Sequence, residues 1–154
     1  METVFNNEMK LCFPEGFRMF TEEEMKKQNF IKEGPGNCLK DEERHIVISV
    51  AWKKVGLLGR LVRPEEAVRS MEKQIAAPMK DYAYSLEDFM NKRVGDTDMY
   101  GFRYSYRVQD TGMTGESFIL EKDRTFYYLH VYYRTEIKES RKVWDDILCS
   151  LEWV

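Results

Sequence analysis

The clearest signal in the chain is alternation of apolar and polar positions in its last third. Between Tyr100 and Val108, the residues Tyr100, Phe102, Tyr104 and Tyr106 fall on one face, opposite Arg103, Ser105 and Arg107, which is the two-residue period of a β-strand. A shorter strand, Glu116 to Glu121, lines one face with Phe118 and Leu120. The stretch from Arg124 to Arg134 sets Tyr127, Leu129, Val131 and Tyr133 against Phe126, Tyr128, His130 and Tyr132. Turns are expected at Asp110 to Gly115 and at Lys122 to Arg124, where turn-forming residues cluster. An antiparallel meander is the economical topology. Because neither face of the last strand is polar along its length, both faces must be covered.

The rest of the chain supplies that cover. Met9 to Phe13 reads as a short strand ended by the Pro14-Glu15-Gly16 turn, and Thr21 with Glu24 forms a capping box for a helix over about Glu22 to Asn29. Gly34 to Asn37 reads as a turn-rich link and Lys40 to Arg44 as a charged run. In His45 to Lys53, Ile46, Ile48, Val50 and Trp52 make one strongly apolar face, with Val47 and Ala51 on the other. Pro64, followed by Glu65 and Glu66, opens a second helix whose stripe is Val68, Met71, Ile75 and Met79, ended or kinked at Pro78. Tyr84 to Val94 is a weaker strand, Gly95 to Asp98 a turn, and Glu139 to Leu151 a closing helix with Val143, Trp144, Ile147, Leu148 and Leu151 as its stripe. The expected fold class is α+β: an antiparallel β-sheet meander covered by helices, as one domain over residues 1–154.

Composition narrows the function classes. With 43% hydrophobic and 14% aromatic residues among 154, disorder is excluded on compositional grounds. The formal net charge of −3 provides no general field for a phosphate backbone, so nucleic acid is not an expected partner. Three cysteines, Cys12, Cys38 and Cys149, contain no C-x-x-C pair and leave one unpaired, the signature of reduced thiols in a cytoplasm. The first ten residues lack a basic segment followed by an apolar run, and no segment approaches the ~18 apolar residues of a membrane span.

The element order and two soft motifs carry a resemblance. An early strand ends in Phe13-Pro14-Glu15-Gly16-Phe17, a helix, a meander and a closing helix follow, and the chain closes on Ser150-Leu151-Glu152-Trp153. This pattern resembles the PsbP and Mog type of α/β/α sandwich, which includes bacterial lipoproteins of the DcrB kind. The resemblance implies a central antiparallel sheet with helices on both sides, no catalytic chemistry, and an accessory or adaptor role. No binding residue of either branch matches a residue here, so it implies no particular partner.

Candidate chemistry is sparse. His45 and His130 sit in strand patterns without a Cys, His or acidic partner at metal-ligand spacing. Cys12 and Cys149 lie on regular elements and read as small core residues, whereas Cys38, in the link, is expected to be exposed. Asp96 and Asp98 supply too few ligands for a hard cation and read as turn residues. No catalytic residue, metal site or cofactor is expected. The aromatic sheet face reads as a core margin rather than an interface.

The unusual segment is Lys53 to Arg63. There Lys53, Lys54, Arg60 and Arg63 surround an apolar loop that includes Leu57, Leu58 and Leu61, with Gly56 and Gly59 as hinges. Apolar and basic residues concentrated in a loop of an acidic protein point to contact with a protein partner. The expected function is thus a non-enzymatic binding module, acting as a monomer or homodimer. The alternative is a small-molecule-binding protein or enzyme with a pocket between sheet and helices lined by Tyr and His130.

Overall fold

The computed structural model describes residues 1–27, 36–56 and 62–154. Its elements in chain order are β1 (Glu2–Phe5), β2 (Met9–Cys12), β3 (Phe17–Met19), α1 (Glu22–Lys26), β4 (Gly36–Asp41), β5 (Ile46–Lys54) and α2 (Pro64–Ala76). A 3-10 segment (Ala77–Tyr82) follows, then β6 (Ser85–Val94), β7 (Thr97–Val108), β8 (Thr111–Lys122), β9 (Thr125–Arg134), α3 (Glu139–Cys149) and β10 (Glu152–Trp153). Among the described residues these strands build two antiparallel sheets. The larger has the order β3-β4-β5-β9-β8-β7-β6 and the smaller the order β1-β2-β10.

The large sheet is apolar on both faces, as the alternation in β9 requires. On one face Phe102, Tyr104, Tyr106, Ile119 and Phe126 pack against Val68, Met71 and Ile75 of α2. On the other, Ile46, Ile48, Val50, Phe118, Leu120, Tyr127, Leu129 and Val131 meet Trp144, Ile147 and Leu148 of α3, together with Phe5, Met9 and Leu11 of the small sheet. The expected stripes of both helices are therefore buried on opposite sides, and β6 to β9 form the expected meander. Pro64 opens α2 and the helix passes into 3-10 geometry at Ala77, since Pro78 cannot donate the next helical hydrogen bond. The expected capping box of α1 is present: Thr21 Oγ1 accepts from Glu24 N at 3.2 Å and Thr21 N donates to Glu24 Oε1 at 3.0 Å.

Several expectations are corrected. The turn expected over Asp110 to Gly115 is confined to Gln109 and Asp110, and β8 already begins at Thr111. Gly115 lies within the strand because its missing side chain is replaced by the ring of Tyr104, its cross-strand partner. Gly36 and Asn37 belong to β4 rather than to a link, so Cys38 is buried, not exposed. Conversely, Cys149 is exposed and Cys12 half-buried. His45 lies in the turn before β5, with a left-handed φ of 56°. α1 is assigned over Glu22–Lys26, and the remainder of its expected range falls outside the described residues from 28 onward.

The first motif of the resemblance is held by the end of β4, and the closing motif by β2. Gly16, at φ 111°, allows the turn, and a Cβ there would stand 2.9 Å from Asp41 Oδ2. Asp41, 1% exposed, accepts from the Arg44 backbone N at 3.0 Å and from its guanidinium, which also donates to Glu15 O at 3.1 Å. At the other end of the chain, Ser150 Oγ accepts from Cys12 N at 2.8 Å. Trp153 pairs with Met9 and Glu152 with Lys10 in the small sheet.

Candidate functional site

Two places answer to the sequence reading: the rim where β5 runs out toward α2, and the sheet face around His130. At the rim, β5 ends with Lys53 opposite Phe126 and Lys54 opposite Thr125. Val55 N donates to Arg124 O at 2.7 Å, which anchors the chain to the β8–β9 turn before it leaves the sheet. Val55 packs on the α2-side core, whereas nothing approaches within 4 Å of where a Gly56 side chain would be. The chain re-enters at Val62, 47% exposed, and Arg63, whose guanidinium is 3.8 Å from Glu65 Oε1. Lys53, Lys54 and Arg63 are all exposed. Leu57, Leu58, Arg60 and Leu61 of the expected site lie outside the described residues.

The register shows that these cations share one end of the sandwich. Lys53 is opposite Phe126, which is opposite Glu121. Glu121 and Lys122 in turn line a cleft of about 470 Å³ with Pro64 and Glu65 at the start of α2. Tyr100 and Trp153 complete its aromatic wall. Trp153 Nε1 donates to Thr97 Oγ1 at 2.8 Å, and Lys122 Nζ lies 5.6 Å from the indole centroid, within cation–π range. Burial first, then Glu65 and Asp98, raise the Tyr100 hydroxyl pKa, so it remains a hydrogen-bond donor at neutral pH. Asp98 is taken up by Arg93 at 3.0 and 3.1 Å. A basic rim beside a cleft with Glu65, Asp96 and Glu121 is a mixed-sign surface with aromatic anchors, chemistry suited to a polypeptide. The sequence reading missed the cleft because Tyr100, Lys122 and Trp153 come from three separate segments. Its only trace was the tryptophan in the closing motif.

On the α2-side face of the sheet, Cys38, Ser49, His130, Ser117 and Phe102 are successive cross-strand partners in one row. Ser117 Oγ and His130 Nδ1 are hydrogen-bonded at 2.6 Å. Burial pushes the imidazole down to about 4, so it is neutral at pH 7. A hydroxyl against a neutral imidazole has the composition of a nucleophile and its base. Ser117, however, is 0% exposed and Ser49 and Cys38 are 7% and 4% exposed, so the hydroxyl is out of reach of a substrate from solvent. The hydrogen bond satisfies the buried Ser117 hydroxyl and the half-buried imidazole beside it. Tyr104 and Tyr106 lie buried under α2, as a core margin requires. His45, exposed in its turn, is not joined to His130, whose partner on β5 is Ser49, whereas Ile46, next to His45, is opposite Tyr133. Among the described residues, no group of three or more His, Cys, Asp and Glu could hold a metal ion.

No protein-family model matches the sequence, and no curated protein matches it. Solved structures do. The chain is similar to cyanobacterial PsbP (CyanoP) from Synechocystis sp. PCC 6803, with a TM-score of 0.73 at 10% identity over 100% of this chain and 92% of that one. It is also similar to the Ran-binding protein Mog1p of Saccharomyces cerevisiae, with a TM-score of 0.61 at 7% identity over 99% and 94%. LpqN of Mycobacterium tuberculosis, a protein involved in cell envelope biogenesis, gives 0.53 at 12% identity over 92% and 79%. This chain shares the fold of these proteins, an antiparallel sheet with helices on both faces.

Proposed function

We propose that the chain is a non-enzymatic accessory module that binds a protein partner through the rim from Lys53 to Arg63. The observation that carries the reading is the exposure of Lys53, Lys54, Val62 and Arg63 at one end of an otherwise acidic protein. Leu57, Leu58, Arg60 and Leu61 belong to the same proposed surface, with the leucines as apolar anchors inside a basic border. The neighbouring cleft of Tyr100 and Trp153 would extend the footprint. That Mog1p is a Ran-binding protein supports a protein as the ligand class for this fold. The three cysteines form no disulfide, which fits a reducing compartment, and the reading places the module in the cytoplasm. No helix among the described residues is long and apolar enough to cross a membrane.

The test is affinity capture from the native cell with the wild-type chain, a Lys53→Glu/Lys54→Glu/Arg63→Glu variant and a Leu57→Ser/Leu58→Ser/Leu61→Ser variant. The expected result is one abundant protein retained by the wild type and lost by both variants, with unchanged circular dichroism. Equal recovery by all three chains would overturn the assignment of the rim.

A further inference from the structure

Beyond Tyr106, the face of the large sheet that carries α2 opens into a cleft of about 650 Å³ between the β4–β5 and β7–β8 hairpins. α2 covers β7 and β8 through Phe102, Tyr104, Tyr106 and Ile119. The ladder carries the same face onward. Tyr104, Gly115, Tyr132, Val47 and Lys40 are successive cross-strand partners in one row, and Tyr106, Met113 and Arg134 in the next. Directly paired residues project to the same face of a sheet, so Val47, Met113, Tyr132 and Arg134 continue the surface on which α2 packs. All four line the cleft, and Val108, 46% exposed, flanks them from the β7–β8 hairpin.

The charges around this cleft are matched with one exception. Lys40 is paired with Glu24 and, at 3.1 Å, with Glu42, which also meets Arg18 at 2.9 Å. Asp41 is held by Arg44. Arg134, half-buried at the end of β9 beside Met113, makes no ion pair among the described residues. A guanidinium beside an apolar floor selects a carboxylate, which it can hold in a bidentate pair. A polypeptide laid here would find no strand edge, because β5, β9 and β8 each have a neighbour on both sides, and its own amides would be left facing side chains. The volume lies in the range of small-molecule sites.

We propose that this cleft binds a small amphipathic carboxylate. Its anionic group accepts hydrogen bonds from the Arg134 guanidinium, and its apolar body lies along Met113, Tyr132 and Val47 with Val108 as a wall. Met113, unbranched and flexible, adapts the floor to bodies of different shape. Val47 and Lys53 stand near opposite ends of β5, so the carboxylate site and the rim reading stand or fall separately.

Amide NMR titration of the full chain tests this with phenylbutyrate, with phenylbutanol as the same body lacking the charge, and with acetate as the charge lacking the body. Phenylbutyrate is expected to shift the amides of Val47, Met113, Tyr132 and Arg134 saturably, with a Kd of order 1 mM for a probe this small. Phenylbutanol and acetate are each expected to bind about tenfold more weakly. Arg134→Gln should bring phenylbutyrate down to the level of the alcohol. Val108→Glu, at an exposed position, should weaken it about fivefold by placing a like charge on the wall. Unchanged amides elsewhere show that both variants fold. Shifts that do not saturate, that centre outside the cleft, or that survive Arg134→Gln undiminished overturn the proposal. So does equal binding of phenylbutanol, or binding of an acidic peptide, Asp-Leu-Phe-Leu-Asp, where phenylbutyrate does not bind.

Discussion

The ring of Tyr104 rests on the backbone of Gly115: a Cβ at position 115 would stand 2.2 Å from Tyr104 Cζ and 2.4 Å from its hydroxyl oxygen. Tyr104 is 7% exposed beneath α2, so the ring has little room to yield. Gly115→Ala is expected to destabilise the fold by about 1–3 kcal/mol, the usual range for overpacking, measured by urea denaturation. Combining it with Tyr104→Val should cost less than the sum of the two single changes, because the smaller side chain removes the clash.

His130 makes stability depend on pH. Its imidazole is held near 4 by burial, below the ordinary value near 6.5. The unfolded chain therefore binds a proton between those two values that the folded chain refuses. Stability is fully present above the unfolded value and is lost as pH falls through the folded one. The loss from this group between pH 7 and pH 4 is expected to be of order 2–3 kcal/mol, and His130→Gln should flatten that limb of the urea-midpoint profile. An imidazole resonance titrating near 6.5 would refute the account.

Glu116 acts with the opposite sign. It is 1% exposed, accepts from Tyr133 at 3.2 Å and has Arg103 Nε at 3.5 Å. Burial outweighs Arg103 and raises its carboxyl pKa. The folded chain then keeps this proton to higher pH than the unfolded chain. Its contribution is most favourable below the unfolded carboxyl value and declines as pH rises through the folded one. Arg103→Met, which strips the buried carboxylate of its counter-charge, is expected to cost about 3 kcal/mol at pH 7 and visibly less at pH 5. Glu116→Gln should be milder, because the partly exposed Arg103 still reaches water.

Ser150→Ala tests the seam between the closing helix and the small sheet. Its Oγ donates to Ile147 O at 2.6 Å and accepts from Cys12 N at 2.8 Å. Removing it leaves a backbone donor without that partner, at an expected cost of about 1–3 kcal/mol. Thermal denaturation and faster exchange of the Cys12 amide would both report it.

The meander and the two long helices were legible because their burial follows their period. In β9, Tyr127, Leu129 and Val131 face one core and Phe126 the other, as alternation alone requires. β4 was not legible, because one of its buried positions is Asp41, which enters the interior only through Arg44. Likewise the start of β8 reads as turn chemistry in Gly112 and Gly115 until a tyrosine from the neighbouring strand fills the space. Lys53 and Lys54 read in sequence as the start of a loop but are the last residues of β5, and both are exposed, as is Arg63. The cleft beside them needed Tyr100, Lys122 and Trp153 to be brought together in three dimensions.

The small sheet has a kinetic consequence. Trp153 pairs with Met9 and the Val154 amide donates to Glu8 O at 2.9 Å, so this sheet joins residues separated by nearly the whole sequence. Contacts of such separation carry the largest loop-closure entropy and slow folding. During synthesis the meander can pair as it emerges, but β2 must wait for β10. The α3 side of the core is thus expected to close last, with the indole of Trp153 as the natural optical reporter of that final step.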